Sequence, residues 1–329
     1  MSTKDLVLSR RRLLAALSAS ALPALPALAQ DAAWPTRPVR IIVPSSAGGG
    51  TDVFGRILAQ ALSEQTKQSF VVDNKPGASG NIGADLAAKA EPDGYTILVA
   101  SNSSLGINPV LLKQMPFDIE RDLVPITRGV FAPMVIVAAP SAGWKTMKEM
   151  IEQGRKEPGR FFYGSAGVGS PLYMGVRMIE EATGARFSHV PYKGVAPAYQ
   201  DLLSGRLQFM LTDLASIEQH IKSGKLLPLA VTQKTPQLPK VPTIAEAGYG
   251  QVRAWTSFSV MAPSRVPAPI VRRIGAEIGR ALRNPAVVQR LEQQALIPVY
   301  DTPEEFALEL RKEREHWGQF IRRNGITPD

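Results

Sequence analysis

The stretch from Val39 to Asp52 reads VRIIVPSSAGGGTD, and it decides the fold because it joins a strand, a glycine-rich turn and a helix start. Val39–Val43 is mostly β-branched and predicts a buried strand. Helical spacing then appears in the apolar residues Phe54, Ile57, Leu58, Ala61 and Leu62. A strand, a turn and a helix in this order begin a parallel α/β unit.

The same alternation continues along the chain. Further strands are predicted at Phe70–Val72, Tyr95–Ala100, Met134–Ala138, Phe161–Tyr163, Ser188–Val190, Leu207–Leu211 and Pro228–Val231. Helices are predicted at 81–90, 105–113, 146–156, 171–183, 196–204 and 215–223. Strands separated by helix-length crossovers indicate an α/β fold with parallel sheets covered on both faces.

The number of strands predicts two domains, because one sheet rarely carries so many. The extended apolar runs Met134–Ala139 and Phe258–Ala262 adjoin prolines and predict the points where the chain crosses between domains. Two crossings form a hinge, which places a cleft at the carboxyl ends of the strands. The predicted divisions are an export signal at 1–29, domain 1 at 30–133 and 256–329 with C-terminal helices, and domain 2 at 134–255. The last helix, with Phe306, Leu310, Trp317 and Ile321 on one stripe, is expected to pack onto domain 1.

The N-terminus has the pattern of a cleavable export signal. Basic residues crowd residues 1–12, an uncharged Leu/Ala-rich run follows at Leu13–Leu28, and the run ends in Ala27-Leu28-Ala29. Ser9–Leu14, SRRRLL, resembles a twin-arginine motif, with an ordinary basic signal as the alternative. The sequence therefore predicts export and cleavage near Ala29.

Composition excludes several function classes. The chain has no cysteine, which removes disulfides, thiolate metal sites, a cysteine nucleophile and a lipobox anchor. Its formal net charge is +9, and the basic residues are scattered, so we expect no nucleic-acid partner and a preference for anionic small molecules. His189, His220 and His316 are far apart, and Gly164–Gly167 does not match G-x-S-x-G. No catalytic residue, metal or cofactor is predicted.

Two glycine-rich turns are the candidate binding elements. The first contributes Ser45, Ser46, Ala47, Gly48 and Gly49, where backbone N–H groups and a helix N-terminus form an anion cradle. The alternative is a plain turn in which Thr51 or Asp52 caps the helix. The second turn contributes Ala166, Gly167, Val168, Gly169 and Ser170 before a helix at Pro171. Two such cradles facing each other would form an anion-binding cleft.

Polar residues also follow two other predicted strands. Asn102 and Ser103 follow the Tyr95–Ala100 strand, and they either contact a ligand or cap the next helix. Asp213 ends another strand, and it either accepts a hydrogen bond from a ligand or caps the helix after it. The glycines of Pro76–Gly83 lack the spacing of a dinucleotide fingerprint.

Nearly the whole mature chain resembles the Bug-type periplasmic receptors of the tripartite tricarboxylate transporter systems. The resemblance rests on the ordered motifs at Trp34–Pro44, Gly48–Asp52, Asn74–Ala78, Gly80–Ala84, Pro92–Thr96, Ile107–Pro109, His189–Gly194, Val241–Gly248 and Pro303–Phe306. It implies a type II-like, two-lobe Venus-flytrap fold in the periplasm, without cofactor or catalysis. It also implies capture of a small carboxylate for membrane permease subunits, with Ser45–Gly48, Asp52, Asn102, Ser103, Ala166–Ser170 and Asp213 at the ligand.

The chain departs from the family pattern in both turns. Pro44-Ser45-Ser46-Ala47 stands where members read Pro-Phe-x-x-Gly-Gly, and Val168-Gly169-Ser170 stands where they carry Asn-Gly-Thr/Ser. Val168 suggests a less polar ligand, with aromatic acids as an option. A preference for succinate-like diacids over aromatic acids would contradict this suggestion.

We expect a monomer. An exported ligand sensor with the same cleft and, less favoured, a periplasmic enzyme are the alternatives.

Overall fold

The structure is a computed structural model that describes residues 34–328. The export signal, its Ser9–Leu14 motif and the cleavage near Ala29 lie outside the described residues. The strands are β1 (Val39–Val43), β2 (Phe70–Asn74), β3 (Thr96–Ser101), β4 (Leu123–Ala132), β5 (Met134–Ala138), β6 (Phe162–Ser165), β7 (Ser188–Pro191), β8 (Phe209–Asp213), β9 (Leu227–Val231), β10 (Thr256–Pro263) and β11 (Ile297–Pro298). The α-helices are α1 (Gly50–Thr66), α2 (Asn81–Ala88), α3 (Asn108–Leu111), α4 (Ile119–Asp122), α5 (Met147–Lys156), α6 (Pro171–Thr183), α7 (Val195–Leu203), α8 (Leu214–Lys222), α9 (Ala268–Arg283), α10 (Pro285–Gln293) and α11 (Pro303–Arg323).

The strands form two sheets, which confirms the α/β class. One sheet has six strands in the order β11-β4-β10-β3-β1-β2, and the other has five in the order β7-β6-β8-β5-β9. Strands before Pro133 and after Trp255 belong to the six-stranded sheet, and those between belong to the five-stranded sheet. We propose that the two sheets are the cores of two lobes.

The sheets are mixed, so the expectation of parallel sheets was only partly right. β1 is parallel to β2 and β3, and β6 is parallel to β7 and β8. β10 is antiparallel to β3 and β4, and β5 is antiparallel to β8 and β9. The chain enters the five-stranded sheet at β5 and returns to the six-stranded sheet at β10. A helical crossover that leaves and rejoins one sheet makes the next strand parallel to the last one. No such crossover precedes β5 or β10, so these two strands can run antiparallel to their neighbours.

The last helix packs against more than one part of the core. Its stripe is buried at Phe306, Leu310, Trp317 and Ile321, as its spacing predicts. Phe306 and Leu310 pack with core residues of the six-stranded sheet. Trp317 and Ile321 instead join the hydrophobic cluster that contains β5 and β8, and the Trp317 ring stacks on Trp255 at 5.0 Å between centroids. Helix α11 therefore contacts the cores of both sheets, whereas the sequence predicted only one.

Candidate functional site

A cavity lies where loops of the two sheets meet. It is lined by the turn after β1, the loop after β2, the end of β3, the turns after β6 and β7, the end of β8 and the start of β10. The carboxyl ends of parallel strands are the expected ligand position in open α/β sheets. The space open to the centres of water molecules is about 70 Å³. Since a single water requires roughly 10–15 Å³ by this measure, the cavity suits a small solute.

The predicted residues divide into two groups around this cavity. Those that line it are Ser45, Gly49, Ser103, Ala166, Ser170 and Asp213. Those that build the surrounding loops, within the described part of the chain, are Ser46, Ala47, Gly48, Asp52, Asn102, Gly167, Val168 and Gly169.

The start of α1 opens into the cavity. Gly49 is the N-cap residue with extended backbone, and Gly50 and Thr51 line the cavity with it. Gly48 has a φ of 80°, a left-handed conformation that favours glycine and turns the chain into the helix. The first N–H groups of a helix lack intrahelical acceptors and carry the positive end of the helix dipole. This turn can therefore bind an anion.

The Asp52 carboxylate stabilises the turn after β1 through hydrogen bonds. Its carboxylate accepts hydrogen bonds from the Gly48 N–H, from Arg56 Nε and from Asn74 Nδ2, each at 2.9 Å. Burial alone would raise the pKa of Asp52, but these hydrogen bonds and the Arg56 charge lower it below 3.8. The prediction that Thr51 or Asp52 is the N-cap residue is wrong, because Gly49 holds that position and both residues lie in the first turn of α1. Asp52 instead accepts a hydrogen bond from the N–H of Gly48, the residue before the N-cap.

Asn102 and Ser103 have different surroundings although they are adjacent. Asn102 Nδ2 donates to Glu313 Oε1 at 2.7 Å and so ties the loop after β3 to helix α11. Burial raises the pKa of Glu313 despite hydrogen bonds from Asn102 and Trp317. Ser103 Oγ lies 2.7 Å from the Ser79 carbonyl and 2.5 Å from the Gly169 carbonyl. Ser103 therefore links the loops of the six-stranded sheet to the turn after β6.

Further contacts hold the loops of the two sheets together. Ser79 Oγ donates to the Ala166 carbonyl at 3.2 Å. Gly169 packs against Asn108 so closely that an added Cβ would lie 1.8 Å from Asn108 Oδ1. Asn108 Nδ2 donates to Ser79 O at 3.1 Å and to Asn81 Oδ1 at 2.8 Å, so its side chain is fixed. These contacts close one side of the cavity.

Asp213 is the buried acid of the cavity. Its side chain is at the N-cap position of α8 but forms no capping hydrogen bond within the described chain, which removes the capping interpretation. Only 6% of the residue is exposed, and Oδ1 has no hydrogen-bond partner among residues 34–328. Desolvation by burial raises the pKa of Asp213 from 3.8 to about 7.

Sequence reasoning missed several lining residues. Gly77, Ser79 and Gly80 line the cavity, although their segment was considered as a cofactor fingerprint and as part of the family motifs and was not predicted to bind the ligand. The spaced glycines of this segment could have predicted an unusual turn. The loop does have positive φ at Ser79 and Gly80. Lys193, which lies in a motif of the family resemblance, and Phe258 also line the cavity.

Val168 is placed differently from its predicted position at the ligand. The residue is buried in the hydrophobic cluster of the five-stranded sheet and lies behind the lining residues of its turn. A side chain in this position shapes the turn through packing. The suggestion of an aromatic ligand, which rested on Val168, therefore gains no support from the geometry.

Within residues 34–328, no cluster of three or more histidine or acidic side chains could hold a metal ion. Over the same residues, every helix is too short or too polar to cross a membrane.

Two α/β sheets joined by two crossings, with a small cavity between their loops, define a two-lobed solute-binding protein. The chain belongs to the tripartite tricarboxylate transporter family of receptors, whose family model matches residues 54–326. Protein BugT of Bordetella pertussis is 34% identical over 295 residues, which are 89% of this chain and 90% of BugT.

Solved structures agree with this membership. The R. palustris protein Rpa4515, solved with adipate, superposes with a TM-score of 0.86 at 32% identity over 90% of this chain and 100% of that chain. The periplasmic binding protein BugD gives a TM-score of 0.85 at 30% identity, again over 90% of this chain and 100% of that chain. The predicted family and fold are confirmed.

Proposed function

We propose that this protein is a periplasmic receptor that binds a small carboxylate in the cavity between the two sheets and delivers it to permease subunits of a tripartite tricarboxylate transporter. The observation that carries the proposal is the N-terminus of α1, whose Gly49–Thr51 turn opens into a cavity bounded by loops of both sheets. The adipate of Rpa4515 supports a carboxylate as the ligand class. Lys193 at the cavity adds a favourable charge for an anion.

The proposed binding residues have two kinds of role. Ser45, Gly49, Ser103, Ser170 and Asp213 would contact the ligand with backbone or side-chain polar groups. Ser46–Gly48, Asp52, Asn102 and Gly167–Gly169 would keep their turns in the shape that presents those groups. The protein would bind its ligand without turnover and act as a monomer.

The two sheets would move as lobes about the crossings. We propose domain 1 at 30–133 and 256–329 and domain 2 at 134–255, with Pro133 and Trp255 at the hinge. The contacts of Ser103 and Ser79 with the turn after β6 support a closed arrangement of the loops. A ligand that contacts both lobes would stabilise that arrangement over an open one.

A small organic acid is expected to stabilise the mature protein against heat. At a ligand concentration of about 100 times Kd the gain is about 2.7 kcal/mol, which raises Tm by roughly 5–10 °C. Differential scanning fluorimetry with mono- and dicarboxylates measures the shift, and the matching neutral amides are the control. Mass spectrometry of ligand released from natively purified protein identifies the physiological acid. The absence of a shift with every acid would contradict the proposal.

Export is proposed to follow the twin-arginine route. The support is the SRRRLL sequence at Ser9–Leu14 and the Ala27–Ala29 cleavage pattern. Replacing Arg10 and Arg11 with lysine is expected to leave the uncleaved precursor in the cytoplasm, as measured by cell fractionation and immunoblotting. The change keeps the basic charge, so normal export of the variant would indicate the general secretory route.

A further inference from the structure

Asp213 has a geometry that its role in folding does not explain. It ends β8 and is 6% exposed, and its carboxyl group faces the cavity. Oδ1 is buried without a hydrogen-bond partner among the described residues. Buried polar groups almost always have partners, and leaving one unpaired is costly. The missing partner points to a ligand that supplies it.

The neighbouring groups of Asp213 do not supply that partner. The hydroxyl of Tyr199, a titratable group on which the Asp213 charge acts, is hydrogen-bonded to Thr212 and Ser216. Lys193 lines the same cavity, but among the described residues its charge does not act on the pKa of Asp213. Burial raises the pKa of Asp213, and no cation or donor offsets it within residues 34–328.

Asp213 also lies beside the start of α1. A Cβ added to Gly50, the first residue of α1, would be 2.8 Å from Asp213 Oδ2. A ligand carboxylate held by the first N–H groups of α1 would therefore place its adjacent carbon atom next to the Asp213 carboxylate. A hydrogen-bond donor on that carbon would lie nearer to the Asp213 carboxylate than a donor further along the ligand.

We propose that Asp213 makes this receptor selective for acids that carry a hydroxyl or ammonium donor on the carbon next to the bound carboxylate, that is, 2-hydroxy or 2-amino acids. The inference rests on the proposed function and names its ligand class. A hydroxyl or ammonium group satisfies the buried Oδ1, and an ammonium group also neutralises the carboxylate charge. When an acid without such a donor binds, the charge of the Asp213 carboxylate stays uncompensated and Oδ1 has no hydrogen-bond partner.

Matched ligands test this selectivity. Isothermal titration calorimetry at pH 8, with Asp213 mostly ionised, compares propionate, lactate and alanine, and then succinate, malate and aspartate. Within each set the carbon skeleton is constant and only the donor changes. We expect the better donor-bearing acid of a set to bind at least 10-fold more tightly than the acid without a donor. β-Alanine, whose ammonium group is one carbon further away, should lose this advantage over propionate.

The Asp213→Asn variant identifies the residue responsible. We expect it to reduce the preference for the donor-bearing acid by roughly 10- to 100-fold, the range for one hydrogen bond to a charged group. The fall should be larger for the ammonium acid than for the hydroxy acid, because asparagine can still accept a neutral hydrogen bond. The control Glu152→Gln removes one carboxylate from the exposed surface of α5 and should leave the preference unchanged.

The outcomes distinguish a failure of the Asp213 selectivity from a failure of the proposed carboxylate binding. If acids bind but show no preference for the donor, or if Asp213→Asn keeps the wild-type preference, this inference is wrong and carboxylate binding stands. If none of the acids binds, both the inference and the proposed carboxylate function are contradicted.

Discussion

The Asp213→Asn variant, free of ligand at pH 8, is expected to have a free energy of unfolding about 2–4 kcal/mol above that of the wild type. The reason is that burial raises the pKa of Asp213 from 3.8 to about 7 without a compensating partner in the described structure. Each pH unit of such a difference corresponds to about 1.4 kcal/mol. Asparagine has no charge to bury, so the variant lacks this penalty.

The difference in the free energy of unfolding between the Asp213→Asn variant and the wild type should depend on pH. The folded protein binds the Asp213 proton more tightly than the unfolded chain does, so this group makes the wild type less stable as pH rises from 4 towards 7. The difference between variant and wild type should be largest above pH 7 and should vanish below about pH 4. Urea denaturation at several pH values measures it.

Asp52→Asn is the matched control, because the same substitution should have the opposite effect. The pKa of Asp52 is lowered by its partners, so its carboxylate stabilises the fold at neutral pH and loses that contribution as pH falls below its usual pKa of 3.8. Asp52→Asn should therefore destabilise the protein at pH 8. An Asp213→Asn variant that is no more stable than the wild type at pH 8 would contradict the burial of an unpaired carboxylate.

The Gly169→Ala variant is expected to bind ligand roughly 10- to 100-fold more weakly while its ligand-free fold is retained. The added Cβ would lie 1.8 Å from Asn108 Oδ1, and Asn108 cannot turn away without losing its hydrogen bonds to Ser79 and Asn81. Overpacking of this kind costs about 1–3 kcal/mol. Gly169 lies outside the left-handed region, so alanine fits its backbone. The collision would therefore act on the proposed closed arrangement of the loops.

A double variant separates this collision from other effects. Gly169→Ala combined with Asn108→Ala should recover affinity relative to Gly169→Ala alone, because the atom that Cβ meets has been removed. Gly250→Ala is the control, since its added Cβ meets nothing nearer than 3.8 Å. Calorimetry gives the affinities, and circular dichroism of the ligand-free proteins monitors the fold. Equal affinity of Gly169→Ala and wild type would show that this contact is absent when ligand binds.

Local sequence patterns predicted the elements well. Helix α6 has the predicted bounds, 171–183, because Pro171 occupies the first turn and Gly184 provides the left-handed C-cap with φ 73°. Strand β5 also has its predicted bounds, since a short apolar run between prolines allows little else. Strand β4 was missed because Pro125 and Arg128 interrupt its apolar pattern.

The sequence by itself determined the alternation of strands and helices, the strands β5 and β10 that follow the two crossings, and the glycine turn at the start of α1. These features depend on residues that are neighbours along the chain. Only the tertiary structure decided that Asn102 binds Glu313, that Ser103 meets Gly169 and that the Oδ1 atom of Asp213 has no hydrogen-bond partner in the described chain. Such contacts join residues far apart in sequence, and the burial that shifts the pKa of Asp213 exists only once both sheets surround it.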